Sequence, residues 1–223
     1  MNEERINASE QSEMFSLIGR TLKNKVECYA VGGTALMFLG LKETTKDVDL
    51  LFKKNEDYEN LRKALHNLGA KESKTNIINP EKVSSIITLG NARFDLFFEH
   101  LIHFRLTESI IARIKESHEF SNLSIKIISP EDIILFKSMA DRESDRIDVN
   151  EIIKKMNINW KMILEEVKEQ KKNSEYFFEA FLYNFLLGLK DSFKTEIPKE
   201  FMEKLEKETG KALLEAQKRL SKL

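Results

Sequence analysis

Two aspartates, Asp47 and Asp49, have the residue type and spacing that most directly indicate chemistry. They lie in the sequence D-V-D-L, whose alternation of acidic and apolar residues predicts a β-strand. Because successive side chains of a strand point to opposite faces, both carboxylates are expected on one face. Two neighbouring carboxylates repel each other unless a cation lies with them. The pair therefore predicts a site for a hard divalent ion such as Mg²⁺, which takes oxygen ligands and leaves positions open for phosphate oxygens.

A diglycine, Gly32-Gly33, precedes this strand and follows an apolar stretch at residues 26–31 that predicts another strand. Glycine permits a turn that a side chain would obstruct, and it lets the main chain approach a ligand closely. Thr34 is expected to be the N-cap of an apolar helix at residues 35–39. The N–H groups and the positive dipole end at the start of such a helix suit phosphate. A phosphate-binding turn and a carboxylate pair in one strand–helix–strand unit indicate nucleotide chemistry.

Further elements must position these residues. Apolar residues at helical spacing predict helices at residues 7–23 and 56–68. A β-hairpin is expected where the apolar residues 83–89 and 93–98 flank a Gly-Asn pair. Residues 125–128 predict another short strand.

A change in composition marks the last part of the chain. Ser129 as N-cap and Pro130 at the first helical position predict the start of a helix after the strands. From Trp160 onward, Lys and Glu alternate with Leu, Phe and Met at helical spacing. Three helices are predicted there, at residues 160–170, 174–190 and 198–220.

The diglycine and the acids together resemble a known family. Gly32-Gly33, a spacer of thirteen residues and then Asp47-x-Asp49 are similar to the signature of the nucleotidyltransferase-fold (polymerase beta-like) superfamily. The wording V-G-G-T-A-L-M-F-L-G followed by T-K-D-V-D-L resembles the prokaryotic branch that includes AbiEii-type toxins and related uncharacterised nucleotidyltransferases. Many superfamily members have Gly-Ser at the turn, where the Ser hydroxyl contacts a phosphate. Here Gly33 leaves that contact to the backbone and to Thr34.

The resemblance implies an α+β nucleotidyltransferase fold, in which helices flank a small mixed β-sheet. Residues 1–157 are expected to form the catalytic domain, and residues 158–223 a C-terminal helical subdomain. The resemblance covers about the first two thirds of the chain, so it assigns no acceptor-binding motif to the helical part.

The resemblance also implies a third acid. In this superfamily a neighbouring strand carries another metal-binding carboxylate, which acts as general base for the incoming hydroxyl. Asp95, in the second strand of the predicted hairpin, is the corresponding position. An acid among three phenylalanines is poorly placed in a core unless it has a partner or a role. The alternative is a structural aspartate paired with Arg93 or Arg105.

A second motif follows the predicted strands. The sequence S-P-E-D-x-x-x-x-K, then R-x-x-D-x-x-D, is similar to a motif of the same branch. The resemblance implies that Lys137 contacts the nucleotide phosphates, while Asp145 and Asp148 brace Arg142. The alternative is an ordinary pair of charged helices held by ion pairs, and the residues leave both interpretations open for Lys137.

The implied reaction transfers a nucleoside monophosphate from an NTP to a hydroxyl and releases pyrophosphate. Asp47, Asp49 and Asp95 are the predicted catalytic and metal-binding residues, with two Mg²⁺ ions as cofactors. The predicted nucleotide-binding residues are Gly32, Gly33, Thr34 and Lys137. The acceptor stays open: a small molecule, tRNA or a protein. The alternative function is a non-catalytic protein of this fold that binds a nucleotide or a partner protein, for example one component of a toxin–antitoxin pair.

Composition limits the remaining classes. The 223 residues are 41% hydrophobic and 33% charged, which is typical of a helix-rich globular protein. A formal net charge of -1 provides no strong nucleic-acid signal. The single cysteine, Cys28, excludes an internal disulfide and a cysteine-rich zinc site. Without a signal-peptide pattern or an apolar run long enough for a membrane span, a cytoplasmic location and no membrane partner are expected.

Overall fold

The chain divides into two compact units, Met1–Ser129 and Pro130–Leu223. A computed structural model describes residues 5–73, 84–172 and 174–220. The predicted domain division between residues 157 and 158 stays a prediction, while the compact units divide between Ser129 and Pro130.

The first unit contains the strands and four helices among the described residues. The strands are β1 (Ile6–Asn7), β2 (Val26–Ala30), β3 (Thr44–Thr45), β4 (Asp47–Phe52), β5 (Lys71–Ser73), β6 (Ser84–Leu89), β7 (Ala92–Phe98), β8 (His100–Leu101), β9 (Phe104–Arg105), β10 (Glu116–Phe120) and β11 (Leu123–Ile127). The helices are α1 (Ala8–Thr21), α2 (Gly32–Phe38), α3 (Asn55–Asn67) and α4 (Glu108–Ala112).

Seven of these strands form one mixed sheet in the order β10-β11-β2-β4-β7-β6-β5. Strand β4 lies between β2, to which it is antiparallel, and β7, to which it is parallel. The predicted hairpin is confirmed as β6 and β7, in which Leu89 pairs with Ala92 around the Gly-Asn turn. Residue 83, the first of the predicted hairpin, lies outside the described residues. The mixed sheet with its helices confirms the predicted α+β class.

Alternation along β4 and β7 separates the core from the charged residues. Val48 and Leu50 of β4 are fully buried, as are Phe94 and Leu96 of β7. Helix α3 packs against β2, β4 and β7, and it also contacts α1. Burying each large apolar side chain contributes on the order of 1.5–3 kcal/mol. Since this apolar face holds the two strands in place, the residues between the buried ones are fixed on the other face.

The second unit is helical throughout its described elements. These are α5 (Pro130–Ala140), α6 (Glu143–Lys155), α7 (Trp160–Lys171), α8 (Phe178–Phe193) and α9 (Lys199–Leu220). Helix α5 buries four consecutive apolar residues from Ile133 to Phe136 and contacts α6, α7 and α8. A helix that is apolar on most sides is typical of a central position.

The predicted helices of this unit are observed with shifted ends. The predicted start of α5 at Pro130 is confirmed. Helix α8 begins at Phe178, four residues after the predicted start. None of the helices in the described part of the chain is long and apolar enough to cross a membrane.

Candidate active site

Strand pairing between β4 and β7 brings the three predicted acids together. Asp49 pairs directly with Asp95, and Asp47 pairs with Arg93, in parallel register. Residues paired on neighbouring strands point to the same face, so these four side chains share the face opposite Val48. The Asp47 side chain is 35% exposed and that of Asp95 is 16% exposed. The structure therefore brings the acids to one partly open surface, and their chemical roles stay predictions.

The diglycine lies against this surface. A Cβ added at Gly32 would lie 2.6 Å from Asp49 Oδ2, and Gly32 has a left-handed φ of +53°. A Cβ added at Gly33 would lie 2.5 Å from Thr45 Oγ1. Real side chains do not approach other atoms so closely, so a side chain at Gly32 or Gly33 would force Asp49 or Thr45 to shift, and at Gly32 it would also strain the backbone. The start of α2 is thereby packed directly beside the Asp49 carboxylate.

Thr34 does not have the predicted capping role. Helix α2 begins at Gly32, with Val31 at the N-cap position and no side-chain cap. The predicted N-cap is wrong because the helix begins before Thr34, at the two glycines. Thr34 is fully buried inside that turn, where its hydroxyl accepts a hydrogen bond of 2.8 Å from the Asp49 backbone N–H. Thr34 thus ties α2 to β4, and its predicted contact with a nucleotide stays a prediction.

The start of α2 offers groups that suit an anion. The first N–H groups of an α-helix have no acceptor within the helix, and in α2 they belong to Gly32, Gly33 and Thr34. The first backbone bond of the helix, of 3.1 Å, runs from Ala35 N to Val31 O. The ammonium of Lys42 lies 4.0 Å from the position of a Cβ on Gly33. A basic side chain therefore accompanies the helix start.

Arg93 is the fourth side chain of the charged face. Its Nε donates to Asp95 Oδ1 at 2.8 Å, and its Nη2 donates to Asp95 Oδ2 at 2.9 Å. The same Nε lies 3.5 Å from Asp47 Oδ1. The structural alternative for Asp95, a pair with Arg93, is therefore observed. This ion pair does not exclude a chemical role for Asp95, because ion-paired carboxylates occur at functional sites as well as in structural networks.

Burial and neighbouring charges both act on the ionisable groups of this face. Burial raises the pKa of Asp95, the bonds from Arg93 counteract this, and the charge of Asp47 adds to the increase. Burial opposes the charge of Arg93, yet Asp95, Asp47 and Asp49 together hold its pKa above the ordinary value. Arg93 thus lies among the three acids of this face, and the charges of all three act on its pKa.

The donor set fits Mg²⁺ in ligand type. Three carboxylates from two adjacent strands share one face, and carboxylate oxygens are the ligands that Mg²⁺ prefers. Among residues 5–73, 84–172 and 174–220, no three acidic, histidine or cysteine side chains converge as a ready metal-binding group. Arg93 holds Asp95 by both oxygens and lies near Asp47. Convergence of the acids on an ion therefore requires Arg93 to move.

Sequence comparison places the chain in a family. Residues 11–182 match a family described as nucleotidyl transferase of unknown function (DUF2204). This chain belongs to that family. The match spans all seven residues predicted to act at the site, and it confirms the nucleotidyltransferase-fold superfamily. The narrower resemblance to AbiEii-type toxins stays a prediction.

One solved structure similar to this DUF2204 chain is an antigenic nucleotidyltransferase-like protein from Paracoccidioides brasiliensis. The two are 14% identical, with a TM-score of 0.49, and the similarity covers 86% of this chain and 92% of the other. Comparison with curated proteins gave no match.

Lys137, the remaining predicted site residue, lies in the second unit of the DUF2204 chain. Its side chain is 9% exposed, and its ammonium is 2.7 Å from Asp145 Oδ1 and 2.8 Å from Asp148 Oδ2. Arg142 Nε also lies 2.8 Å from Asp145 Oδ2. Burial opposes ionisation of Asp145, but Arg142 and Lys137 hold its pKa below the ordinary value. The observed contacts are those of the structural alternative, and the nucleotide contact of Lys137 stays a prediction.

Three residues of the first unit were not predicted to belong to the site. Arg93 had a detectable signal, because two-residue spacing in R-F-D puts it on the same face as Asp95. Thr45 lies against Gly33 and donates a hydrogen bond of 3.0 Å to the Asp47 carbonyl oxygen. Its strand has only two residues, which is too short for a periodic pattern. Lys42 lies in the loop before that strand, where sequence periodicity assigns no direction.

A cleft of about 630 Å³ adjoins the same end of the sheet. Its wall includes Ile6, Met14, Leu89 and Ala92. Strand β7 continues from Ala92 directly into Arg93, and Ile6 pairs with the site residue Thr45. The three acids and Arg93 are not among the residues that line this cleft, and Ala92 lies on the face of β7 opposite to Arg93 and Asp95.

Proposed function

We propose that this chain is a Mg²⁺-dependent nucleotidyltransferase that transfers a nucleoside monophosphate from an NTP to an acceptor hydroxyl and releases pyrophosphate. Family membership supports the nucleotidyltransferase class. The observation that carries the proposal is the direct pairing of Asp49 with Asp95, with Gly32 packed against the Asp49 carboxylate. Carboxylates for metal ions and backbone N–H groups for phosphate thus lie at one surface of one unit.

The three acids have distinct roles in this proposal. Asp47 and Asp49 hold two Mg²⁺ ions, with Asp95 as the third carboxylate ligand. When bound, the ions neutralise the triphosphate and lower the pKa of the acceptor hydroxyl. Asp95 accepts the proton of that hydroxyl as the general base.

The start of α2 holds the triphosphate. The N–H groups of Gly32 and Gly33 belong to the start of α2, where an anion is favoured by the helix dipole. Thr34 keeps Asp49 in place through its hydrogen bond and completes the turn. Lys42 adds a point charge next to Gly33. Lys137 is retained as a predicted phosphate contact. To reach a phosphate, its ammonium would have to leave the buried carboxylates of Asp145 and Asp148.

The acceptor class stays open in this proposal, because the cleft whose wall carries Glu10 and Glu13 of α1 is not lined by any of the three acids. A small hydroxylated molecule, a tRNA end and a protein side chain all remain acceptors for the experiment to separate.

The direct test is incubation of the chain with each α-labelled NTP and Mg²⁺, in turn with total RNA, candidate protein partners and hydroxylated small molecules. Transfer of label is expected with one acceptor class and is expected to disappear in D47A/D49A. D141N is a matched control, because it removes an ion-paired aspartate of the other unit, whose partner is Arg146. Labelling by D47A/D49A at the wild-type rate would show that these acids do not carry the reaction.

A second candidate is a non-catalytic member of this fold that binds a nucleotide or a partner protein. The engagement of Asp95 by Arg93 favours it, because that pair withholds a carboxylate from metal. Calorimetric binding of NTP with Mg²⁺, without any labelled product after prolonged incubation, would support this function over catalysis.

A further inference from the structure

We propose that Arg93 is an exchangeable counter-ion: it occupies the carboxylates of the charged face in the absence of metal and is displaced when a divalent ion binds. The inference rests on the proposed metal-dependent function and adds to it a competition between one side chain and the ion. It concerns four residues of the first unit: Asp47, Asp49, Asp95 and Arg93.

The geometry shows why Arg93 and a metal ion compete. Both oxygens of Asp95 accept from Arg93, at 2.8 and 2.9 Å. A planar guanidinium bonded to both oxygens covers the edge of the carboxylate at which a cation would bind. Arg93 Nε also lies 3.5 Å from Asp47 Oδ1, so one side chain reaches two of the three acids.

The charge balance shows why the pairing stays reversible. Arg93 carries one positive charge, whereas a divalent ion carries two. At the same distance the ion attracts the carboxylates of Asp47 and Asp95 more strongly than the guanidinium does, so exchange is favoured electrostatically. If Arg93 were absent, the half-buried carboxylate of Asp95 would lose its counter-ion from the same strand whenever no metal is bound.

The location of Arg93 permits movement without unfolding. Its side chain is 45% exposed, whereas its chain neighbours Ala92 and Phe94 are buried. Rotation of an exposed side chain leaves the register of β4 and β7 intact, because that register depends on backbone bonds and on the apolar face. Exchange therefore needs only a side-chain rotation.

The test measures metal binding rather than activity. Mn²⁺, used as MnCl₂ without nucleotide, is titrated into the chelator-treated full chain and followed by calorimetry. R93Q removes the competing charge and is expected to bind Mn²⁺ roughly 10- to 100-fold more tightly than wild type, the range for a lost hydrogen-bonded charge pair. R93K keeps the charge but not the fork, so an intermediate affinity is expected.

A matched control is available in the same unit. Arg62 makes a similar two-oxygen contact with Glu72, with Nε 3.1 Å from both Oε1 and Oε2 and Nη2 2.8 Å from Oε2. Its side chain is 35% exposed. R62Q should therefore remove an ion pair comparable to the one that R93Q removes, without changing the affinity for Mn²⁺. The melting temperature supplies a second readout, since added Mn²⁺ should raise it more in R93Q than in R62Q.

The outcomes separate this inference from the proposed function. If D49N abolishes Mn²⁺ binding but R93Q binds no more tightly than R62Q, the metal site stands and the exchange is wrong. Weaker binding by R93Q would also overturn the exchange, because Arg93 would then help to form the site. If D49N binds as well as wild type, or no variant binds Mn²⁺, the metal site itself is absent and both proposals fail.

Discussion

Two charged clusters, one in each unit, contain the same kinds of residue but differ in balance and burial. The sheet cluster consists of Asp47, Asp49, Asp95 and Arg93, and the helix cluster of Lys137, Arg142, Asp145 and Asp148. In the helix cluster two cations meet two acids; Lys137, Asp145 and Asp148 are 9%, 1% and 11% exposed, and Arg142 at its edge is 72% exposed. In the sheet cluster Arg93 lies among three acids, and the exposed fractions of Asp47, Asp95 and Arg93 are 35%, 16% and 45%.

The comparison distinguishes a structural ion network from a site. A buried and balanced cluster satisfies its own charges, and removing one member leaves an uncompensated charge inside the protein. In a partly open cluster, carboxylates on neighbouring strands repel each other, and a further cation that binds there stabilises them. We therefore expect mutations in the sheet cluster to act on activity, and mutations in the helix cluster to act on stability.

The largest effect is expected from Asp49→Asn. The change keeps the shape of the side chain and removes one negative charge from the metal-binding face, so transfer of labelled nucleotide should fall at least about 100-fold, as it does when other preorganised electrostatic groups are lost. The fold should be retained, because Thr34 and Val31 bond to the Asp49 backbone and not to its carboxylate. Urea unfolding measured in the same preparation should match wild type. A stability loss in proportion to the activity loss would remove the distinction between the clusters.

The opposite result is expected from Lys137→Met. The methionine keeps most of the side-chain volume but leaves Asp145 and Asp148 without the ammonium that lies within 2.8 Å of both. Breaking a buried ion pair by removing one partner costs about 3–5 kcal/mol, which urea unfolding measures directly. If K137M unfolds like wild type and yet loses NTP binding, Lys137 is a phosphate ligand and the helix cluster belongs to the function.

A smaller effect is expected from glycine substitutions in and just after α2. Gly32 and Gly40 both have a positive φ, of +53° and +66°, but only Gly32 has an atom, Asp49 Oδ2, within 4 Å of an added Cβ. Gly40→Ala should therefore cost about 1–2 kcal/mol of unfolding free energy from backbone strain alone. Gly32→Ala should cost more and should also weaken Mn²⁺ binding, because the Asp49 carboxylate has to shift. Equal behaviour of the two variants in calorimetry would show that the contact with Asp49 has no bearing on the site.

Sequence reasoning reached the sheet cluster because its signals are local. The two-residue spacing of Asp47 and Asp49 determines a shared face, and the Gly-Asn turn predicts the hairpin that carries Asp95. The pairing of Asp49 with Asp95 is different, since β4 and β7 meet across a long stretch of chain. Only the family resemblance predicted it, because strand register over such distances depends on packing that periodicity does not describe.

The errors and omissions have equally physical causes. Thr34 was predicted to cap α2 because Thr is a common N-cap, but two glycines allowed the helix to begin earlier. Lys137 was left open between two interpretations because a helical lysine gives no sequence signal of its partners on the next helix. The strand β10 was not predicted, because its five residues, E-S-H-E-F, include one apolar residue. Its strand conformation depends on pairing with β11, which the local sequence does not reveal.

The smallest effect is a pair of opposite pH dependences in metal-free protein. Burial, together with Asp47, raises the pKa of Asp95 above its ordinary value of 3.8, despite the opposing effect of Arg93. Arg142 and Lys137 overcome burial and lower the pKa of Asp145 below the same value of 3.8.

For Asp95 the folded protein binds the proton more tightly than the unfolded chain, so its contribution to stability falls as pH rises above 3.8. For Asp145 the folded protein binds the proton less tightly, so its contribution is present above 3.8 and is lost as pH falls below that value. Urea unfolding of wild type, D95N and D145N in chelator, from about pH 3 to pH 6, resolves both windows. The advantage of wild type over D95N should shrink with rising pH, and its advantage over D145N should shrink with falling pH. Dependences of the same sign would mean that Arg93 stabilises Asp95 as fully as Lys137 and Arg142 stabilise Asp145, and the sheet cluster would then be a structural ion network like the helix cluster.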